Sequence, residues 1–221
     1  MKLMSILILF TCLKLSLFSA AKFDVSKLKI SSKTDQLIIA IPLEKKSHLG
    51  YLYYYIKEGN NWSEYLVSDA HFGKNGLGKE IEGDLKTPIG VYEFNSYFGI
   101  ADNPGTKLPY IKLNNSLYWD GDSNSKNYNK MVNIETYDDF DIAESEHLID
   151  EILAYQYVMS INYNKDRIPH KGSAIFLHCY TENPYTAGCI AVPHSNMLKI
   201  YQKAKKKAKI IIDYEENIYY Y

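Results

Sequence analysis

Short apolar segments separated by polar turns run through most of the chain. Residues 37–41 (LIIAI) are entirely apolar, and residues 50–62 (GYLYYYIKEGNNW) place an aromatic-rich segment before a polar Gly-Asn turn. Apolar runs bounded by turn residues are typical of strands, so the second segment predicts a strand, a turn and a return strand. Further strands are predicted at residues 91–94, 155–163, 172–180 and 209–214.

Two segments instead have apolar residues at helical spacing. The first is residues 141–153 (DIAESEHLIDEIL), and the second follows Ser195, which is a predicted helix cap. The apolar positions are Ile142, Ile149, Ile152 and Leu153 in the first segment, and Met197, Tyr201 and Ala204 in the second. Residues 102–130 are polar and rich in Asn, which predicts a long loop that its Tyr and Trp residues keep ordered.

Composition agrees with one mainly β domain that has two short helices. The chain has 221 residues, of which 46% are hydrophobic, so it can bury a full core. Its 21 tyrosines favour strands, where aromatic side chains fit a pleated surface. The formal net charge is only −1, so charge gives no support for a nucleic-acid partner.

The first 21 residues predict a secretory signal peptide, which leaves residues 22–221 as the mature domain. Lys2 gives a positive start, an apolar stretch follows, and Ser19 to Ala21 are small enough for cleavage. Lys14 interrupts the apolar run and argues against a retained membrane span, although an uncleaved anchor is the alternative. Cleavage removes Cys12 and leaves Cys179 and Cys189 in an exported protein.

Residues 175–197 (IFLHCYTENPYTAGCIAVPHSNM) hold two histidines and two cysteines. Side chains alternate across a strand, so His178 and Cys179 point to opposite faces, and Cys189 is the better partner for His178 after the TENPY turn. A thiol beside an imidazole can attack a carbonyl carbon. Gly188 permits close approach of a substrate, and the N–H groups near residues 188–189 can hold an oxyanion.

Three other interpretations of this segment remain open at this point. Cys179 and Cys189 are candidates for a disulfide, because exported thiols are often paired. His178, Cys189 and His194 are a possible zinc ligand set, although their spacing fits no common zinc motif. The same residues also suit a buried strand without chemistry.

Five motifs resemble, in order and spacing, the L,D-transpeptidase catalytic domain family, also called YkuD. They are EGDLKTPIGVYEF (82–94), LPY (108–110), SEHL (145–148), GSAIFLH (172–178) and TAGCIAVP (186–193). The resemblance extends over residues 35–213. It implies a β-sandwich or barrel with a few short helices, without a cofactor.

The resemblance also implies a cysteine enzyme of the cell envelope, in the periplasm or cell wall, that acts on peptidoglycan stem peptides. Cys189 is then the nucleophile and His178 the base, and Gly188 and Cys189 supply oxyanion N–H groups. The expected substrate-side residues are Thr186, with the expected role of orienting the imidazole, and His147, Lys86 and Thr87. As a transpeptidase, the enzyme transfers the acyl group to an amine; as a carboxypeptidase, it transfers the group to water. The alternative outside the enzymes is a non-catalytic envelope-binding domain with a Cys179–Cys189 disulfide.

Two positions depart from the pattern SHGC(I/V)R that is common in the family. Ala187 replaces the His that precedes Gly, and Ala191 replaces an Arg that is expected to hold a substrate carboxylate. Four residues are candidates for that carboxylate contact, and the sequence does not choose among them: Arg167, Lys171, His147 and Lys86.

Overall fold

The computed structural model describes residues 21–221 and shows a mainly β protein, as the sequence predicts. The strands are β1 (Gln36–Pro42), β2 (Leu49–Glu58), β3 (Asn61–His71), β4 (Gly90–Gly99), β5 (Tyr110–Lys112), β6 (Leu117–Asp120), β7 (Lys130–Asn133), β8 (Glu146–His147), β9 (Val158–Ile161), β10 (Phe176–Cys179), β11 (Ile190–Val192) and β12 (Lys209–Ile212). In the described chain there is one α-helix, α1 (His194–Lys203), together with 3-10 turns at Val25–Lys27, Lys29–Ser32, Ile142–Glu144, Ala154–Gln156 and Glu215–Tyr220. The predicted signal peptide lies outside the described residues except for Ala21.

The main sheet closes into a barrel. Its strand order is β12-β1-β2-β3-β11-β10-β9-β4-β5, and β12 pairs both with β1 in parallel and with β4 in antiparallel orientation. Because β12 joins both sides of the sheet, the eight strands from β12 to β4 form a ring, and β5 extends it from β4. The predicted barrel with few helices is therefore confirmed.

Strand alternation sorts the apolar residues between the inside and the outside of the barrel. On β1, Ile38 and Ala40 belong to the interior core, while Leu37 and Ile39 belong to a second cluster on the outer face. The chain before β1 and the turn after β12 cover this outer face with Phe23, Val25, Leu28 and Ile218. Both faces of β1 are thus buried, which explains its fully apolar sequence.

A third cluster lies on the outer face of β4, β9 and β10 and supports the candidate site. It joins Phe98, Val158 and Phe176 from these strands to residues of the covering segments. The covering residues include Trp119 of β6, Leu148 and Tyr155. Strand β6 pairs with β7 and β8 in a small separate sheet, so residues 113–155 form a cover over this part of the barrel.

The predicted helix at residues 141–153 is wrong. The segment contains a 3-10 turn, the two-residue strand β8 and further turns. Ile142 and Ile152 are 54% and 64% exposed, so the apolar positions do not form a buried stripe. Instead, Glu146 pairs with Trp119 on β6. Pairing with β6 and burial of Leu148 override the helical spacing in this segment.

Two other predictions need adjustment. Residues 102–130 contain β5 and β6, so only part of the predicted loop is irregular. Helix α1 begins at His194 after Pro193, and Ser195 lies inside the helix rather than at its cap. The stripe of Met197, Tyr201 and Ala204 is buried as predicted, and the Tyr201 hydroxyl donates to the carbonyl oxygen of Val158 (2.9 Å).

Candidate active site

The parallel pairing of β10 with β11 brings His178 and Cys189 to one face of the barrel. His178 is in register with Ala191, and Cys189 lies two residues before Ala191, so alternation puts Cys189 on the face that His178 and Phe176 share. The Phe176 N–H donates to Cys189 Sγ (3.3 Å). Both His178 and Cys189 line a cleft of about 390 Å³ between the barrel and its cover.

Cys179 lies on the other side of the same strand. It belongs to the interior core, whereas Cys189 belongs to the outer cluster with Phe176. Both cysteines are free thiols, so the structure contradicts the Cys179–Cys189 disulfide alternative. The strand between them explains why, because a bond would have to cross the sheet.

A backbone contact defines the protonation pattern of His178. Its Nδ1 lies 2.7 Å from the carbonyl oxygen of Cys179. A carbonyl oxygen only accepts hydrogen bonds, so Nδ1 must carry the proton, and the neutral ring then has its lone pair on Nε2. The imidazole ring also packs edge-on against Tyr155, with the ring centroids 5.7 Å apart. This tautomer is the one that a general base at the cleft requires.

Burial keeps both candidate catalytic groups neutral at pH 7. It lowers the pKa of His178 to about 4, although the contact with the Cys179 carbonyl opposes the shift. Burial also raises the pKa of the Cys189 thiol to about 12. In the free protein the thiol donates to the carbonyl oxygen of Ala174 (3.2 Å). The resting site is therefore a thiol with a neutral imidazole, and not a thiolate–imidazolium pair.

Two threonines hold the backbone of the cysteine. Thr186 Oγ1 donates to the carbonyl oxygen of Cys189 at 2.8 Å, and Thr87 Oγ1 donates to the same oxygen at 3.2 Å. Thr186 lines the cleft, whereas Thr87 is fully buried behind it. Both expected substrate-side threonines thus contact the nucleophile's own residue, and neither contacts the imidazole of His178.

Gly188 occupies a backbone conformation and a space that exclude a side chain. Its φ is +149°, and a Cβ would lie 2.8 Å from the carbonyl oxygen of Lys86. The Gly188 N–H donates to Thr186 Oγ1 (3.1 Å). The N–H of Cys189 has no hydrogen-bond partner among the described residues, so it is the N–H of the pair that is free to bind an oxyanion.

Lys79 is a cleft residue that sequence reasoning did not single out. Its side chain is only 2% exposed, and Nζ forms an ion pair with Asp84 Oδ1 (3.0 Å). Three backbone N–H groups hold the Asp84 carboxylate and, together with Lys79, keep its pKa below the usual range despite burial. The only signal in the sequence is that Lys79 lies five residues before the Asp of the EGDLKTP motif.

Glu146 and Tyr155 form a second unforeseen pair in the cleft. The Tyr155 hydroxyl donates to Glu146 Oε1 (2.5 Å). Burial raises the pKa of Glu146 to about 7, and the negative charge of Glu151 adds to the shift. The charge of Glu146 in turn raises the pKa of the Cys189 thiol. The neighbouring His147, and not Glu146, is the residue that the sequence suggested.

The structure separates two other predicted residues from the cleft lining. His147 stacks on Tyr118, with its two ring nitrogens 3.0 Å from Asp150 and from the Asn115 carbonyl. Lys86 contributes its backbone beside Gly188, but its side chain does not line the cleft. Their proposed contacts with substrate stay predictions.

The described residues show neither a metal cluster nor a membrane helix. Between residues 21 and 221, no three His, Cys, Asp or Glu side chains come together as metal ligands. His194 begins α1, where its ring contacts Tyr157. Within the same range, no helix is long and apolar enough to cross a membrane.

Residues 43–212 match the family model described as the L,D-transpeptidase catalytic domain. The chain belongs to this family. The match contains the site, from Lys79 to Cys189, and connects the chain with enzymes that modify peptidoglycan. A search of the curated proteins gives no match.

Several solved structures resemble the fold at low identity. The helical cell shape determining protein Pgp2 from Campylobacter jejuni is 19% identical with a TM-score of 0.44, over 83% of this chain and 50% of that one. Bd1075 from Bdellovibrio bacteriovorus is 17% identical with a TM-score of 0.43, over 84% and 50%. An L,D-transpeptidase from Mycobacterium smegmatis is 9% identical with a TM-score of 0.39, over 81% and 58%. The chain spans about half the length of the first two structures.

Proposed function

We propose that this protein is an exported cysteine L,D-transpeptidase that acts on peptidoglycan stem peptides through a thioester. The observation that carries the proposal is the joint placement of Cys189 and His178 on one face of β10 and β11, where both line the same cleft. The tautomer of His178, with Nε2 as the acceptor, supports its role as the base.

In the first half-reaction, Cys189 Sγ attacks the carbonyl carbon of the L-configured third residue of the stem. The thiol proton leaves its contact with the Ala174 carbonyl and passes to His178 Nε2. The carbonyl π electrons move to oxygen, which the N–H of Cys189 can stabilise. When the intermediate collapses, the C–N bond breaks, and the imidazolium returns the proton to the leaving amine nitrogen of the terminal D-residue.

In the second half-reaction, an amine of another stem attacks the thioester carbon. His178 accepts the proton of the amine, the C–S bond breaks, and Sγ recovers a proton from the imidazolium. Because the resting thiol and imidazole are both neutral, no charge separation precedes substrate binding. Proton transfer from sulfur to nitrogen therefore accompanies the formation of the S–C bond with the substrate carbonyl carbon.

The cell envelope is the compartment that this substrate requires. A thioester enzyme of stem peptides must reach peptidoglycan, and the predicted signal peptide at residues 1–21 provides export. Among the described residues, the only other thiol is that of Cys179, which faces the barrel interior, so Cys189 has no partner there for an intramolecular disulfide in an oxidising compartment.

Incubation of residues 22–221 with tetrapeptide muropeptides tests the proposal. We expect crosslinked dimers by mass spectrometry, and a thioester adduct on Cys189 in quenched samples. Cys189→Ala should abolish both products, whereas Cys179→Ala should retain them, because Cys179 faces the barrel interior. Shortened tripeptides without dimers would identify a carboxypeptidase instead, and full activity of Cys189→Ala would refute the nucleophile.

A further inference from the structure

Lys79 is the only lysine or arginine of the described chain whose side chain lines the cleft. The acidic side chains on the cleft wall are Glu82, Glu146 and Glu151. His178 adds no positive charge at pH 7, because burial lowers its pKa to about 4. An anionic part of a substrate therefore has one cationic partner here, and the carboxylates of Glu82 and Glu151 disfavour its binding elsewhere in the cleft.

The ammonium group of Lys79 is ordered and has one unused hydrogen-bond donor. Nζ donates to Asp84 Oδ1 at 3.0 Å and to the carbonyl oxygen of Ile81 at 3.2 Å. An ammonium has three N–H donors, so one remains without an acceptor among the described residues. Because the side chain is 2% exposed, this donor is almost fully withdrawn from bulk water, and a partner in the cleft would satisfy it.

Two glycines place this ammonium beside the nucleophile. At Gly172, a Cβ would lie 2.4 Å from Lys79 Cε, so any larger residue would displace the lysine stem. At Gly188, the Cβ position is 3.7 Å from Lys79 Nζ, and Gly188 directly precedes Cys189. The charge of Lys79 also reaches the sulfur, where it lowers the pKa of the thiol against the larger effect of burial.

We propose that Lys79 binds the terminal carboxylate of the stem peptide that Cys189 attacks. This inference rests on the proposed function, in which the bond that breaks joins the terminal residue to the stem. Only the amide nitrogen and one Cα separate the attacked carbon from the terminal carboxylate, which places the two roughly 3–4 Å apart. A cation next to Gly188 and Cys189 is therefore within reach of that carboxylate.

The contact between Lys79 and the carboxylate determines specificity for the free terminus of the stem peptide. A charge-assisted hydrogen bond from Lys79 favours a carboxylate over a neutral amide of the same shape. The sequence offered four candidates for the contact with the substrate carboxylate: Arg167, Lys171, His147 and Lys86. None of the four lines the cleft, whereas Lys79 does. The lysine is a specificity-determining residue, and proton transfer still belongs to His178.

The test compares two stem tetrapeptides that differ only in a terminal carboxylate or a terminal primary amide. For the wild type, we expect kcat/KM to be about 10- to 100-fold higher with the carboxylate. In Lys79→Met this ratio should fall to about 1, through loss of activity on the carboxylate substrate. Asp84→Asn is the matched variant, because it breaks the same ion pair but keeps the ammonium, and it should keep the preference.

A purely structural role of the ion pair predicts a different result. In that case Lys79→Met and Asp84→Asn would lower the activity on both substrates alike and leave the ratio unchanged, which would overturn the proposal. Lys79→Met leaves Asp84 buried without its partner, which can destabilise the fold. The kcat/KM ratio is therefore also measured in the double variant Lys79→Met/Asp84→Asn, and thermal melting checks the folding of each variant. The double variant should also lose the preference.

Measurements on the wild type alone distinguish failure of the Lys79 proposal from failure of the proposed function. Activity on both substrates with less than a threefold preference would refute the role of Lys79 but leave the proposed function in place. Absence of activity on both would refute the proposed function, and the carboxylate site with it. Lys45→Met, which removes an exposed charge outside the cleft, should behave as the wild type does.

Discussion

The hydroxyl of Thr87 donates a hydrogen bond to the carbonyl oxygen of Cys189, 102 residues later in the chain (3.2 Å). The same oxygen atom of Thr87 accepts a hydrogen bond from the N–H of Gly73 (2.8 Å). Thr87 is completely buried, so water cannot replace either partner. The loop that carries the TP motif is therefore a direct support for the backbone of the nucleophile.

Replacement of Thr87 with Val should loosen this support. Valine keeps the shape but removes the hydroxyl, which leaves the Gly73 N–H without its partner. We expect the free energy of unfolding to fall by about 1–3 kcal/mol, and kcat/KM on stem peptides to fall at least tenfold as Cys189 loses its orientation. Chemical denaturation and steady-state kinetics measure the two effects. Thr87→Ser should restore most of both, and equal defects in the Ser and Val variants would contradict a support that depends on the hydroxyl.

The two described thiols should react slowly with alkylating agents. Burial raises the pKa of Cys189 to about 12 and that of Cys179 to about 11. Since only the thiolate reacts, iodoacetamide should modify Cys189 at pH 7.5 on the order of a thousandfold more slowly than it modifies an unfolded thiol. Mass spectrometry of a time course measures the rates. The rate should rise with pH up to at least pH 10, whereas a rapid rate that does not change between pH 6 and 9 would indicate a thiolate–imidazolium pair.

His178 and Glu146 should change stability in opposite directions over the same pH range. For His178, the folded pKa of about 4 lies below the ordinary value of 6.5. The unfolded chain therefore binds the proton first, and stability is lost as the pH falls from 6.5 to 4. For Glu146, the folded pKa of about 7 lies above the ordinary 4.5, so stability is lost as the pH rises from 4.5 to 7. Each effect is about 3 kcal/mol at most.

Variants separate these opposing effects. Glu146→Gln removes the stability that protonation of Glu146 contributes as the pH falls. The free energy of unfolding of this variant should therefore fall more steeply than that of the wild type as the pH decreases from 7 to 4.5. His178→Gln should show the reverse, with less loss on acidification. Urea denaturation at several pH values provides both curves. Parallel curves for the wild type and Glu146→Gln would contradict the raised pKa of Glu146.

Gly188→Ala should be more damaging than an alanine at another glycine with positive φ. A Cβ at Gly188 would lie 2.8 Å from the Lys86 carbonyl oxygen, in a strained backbone conformation, so we expect a loss of about 1–3 kcal/mol and of nearly all activity. Gly59 has a φ of +61° in the β2–β3 turn, with no atom near its Cβ position. Gly59→Ala should cost about 1 kcal/mol and keep the activity. Similar kcat values for the two variants would contradict the packing argument.

Backbone geometry explains why part of the site was predictable from sequence. The period of two in a strand puts His178 and Cys179 on opposite faces whatever the rest of the chain does, and the structure agrees. The loop of residues 180–189 returns the chain so that β11 pairs in parallel with β10, which places Cys189 on the face of His178. Both relations depend on strand alternation and on one local loop, so the sequence predicts them.

Relations between distant segments were not predictable. Lys79 reaches Gly188 only because the loop before β4 folds against β11, and no local pattern encodes that distance. Glu146 enters the cleft because residues 146–147 pair with β6, where the spacing had predicted a helix. Likewise, the bond from the Gly188 N–H to Thr186 Oγ1 depends on the conformation of the turn, which residue types alone do not specify.

Strand β12 has a consequence for how the protein reaches its folded state. Residues 209–212 supply the hydrogen-bonding partners of both β1 and β4, which lie more than 100 positions earlier. The ring cannot close until this segment has docked, and pairing over such separations is slow. Until then, the edges of β1 and β4 are open to pairing with other chains. Closure of the barrel thus requires strand β12, and a chain in which β12 has not docked would favour aggregation over a partly active enzyme.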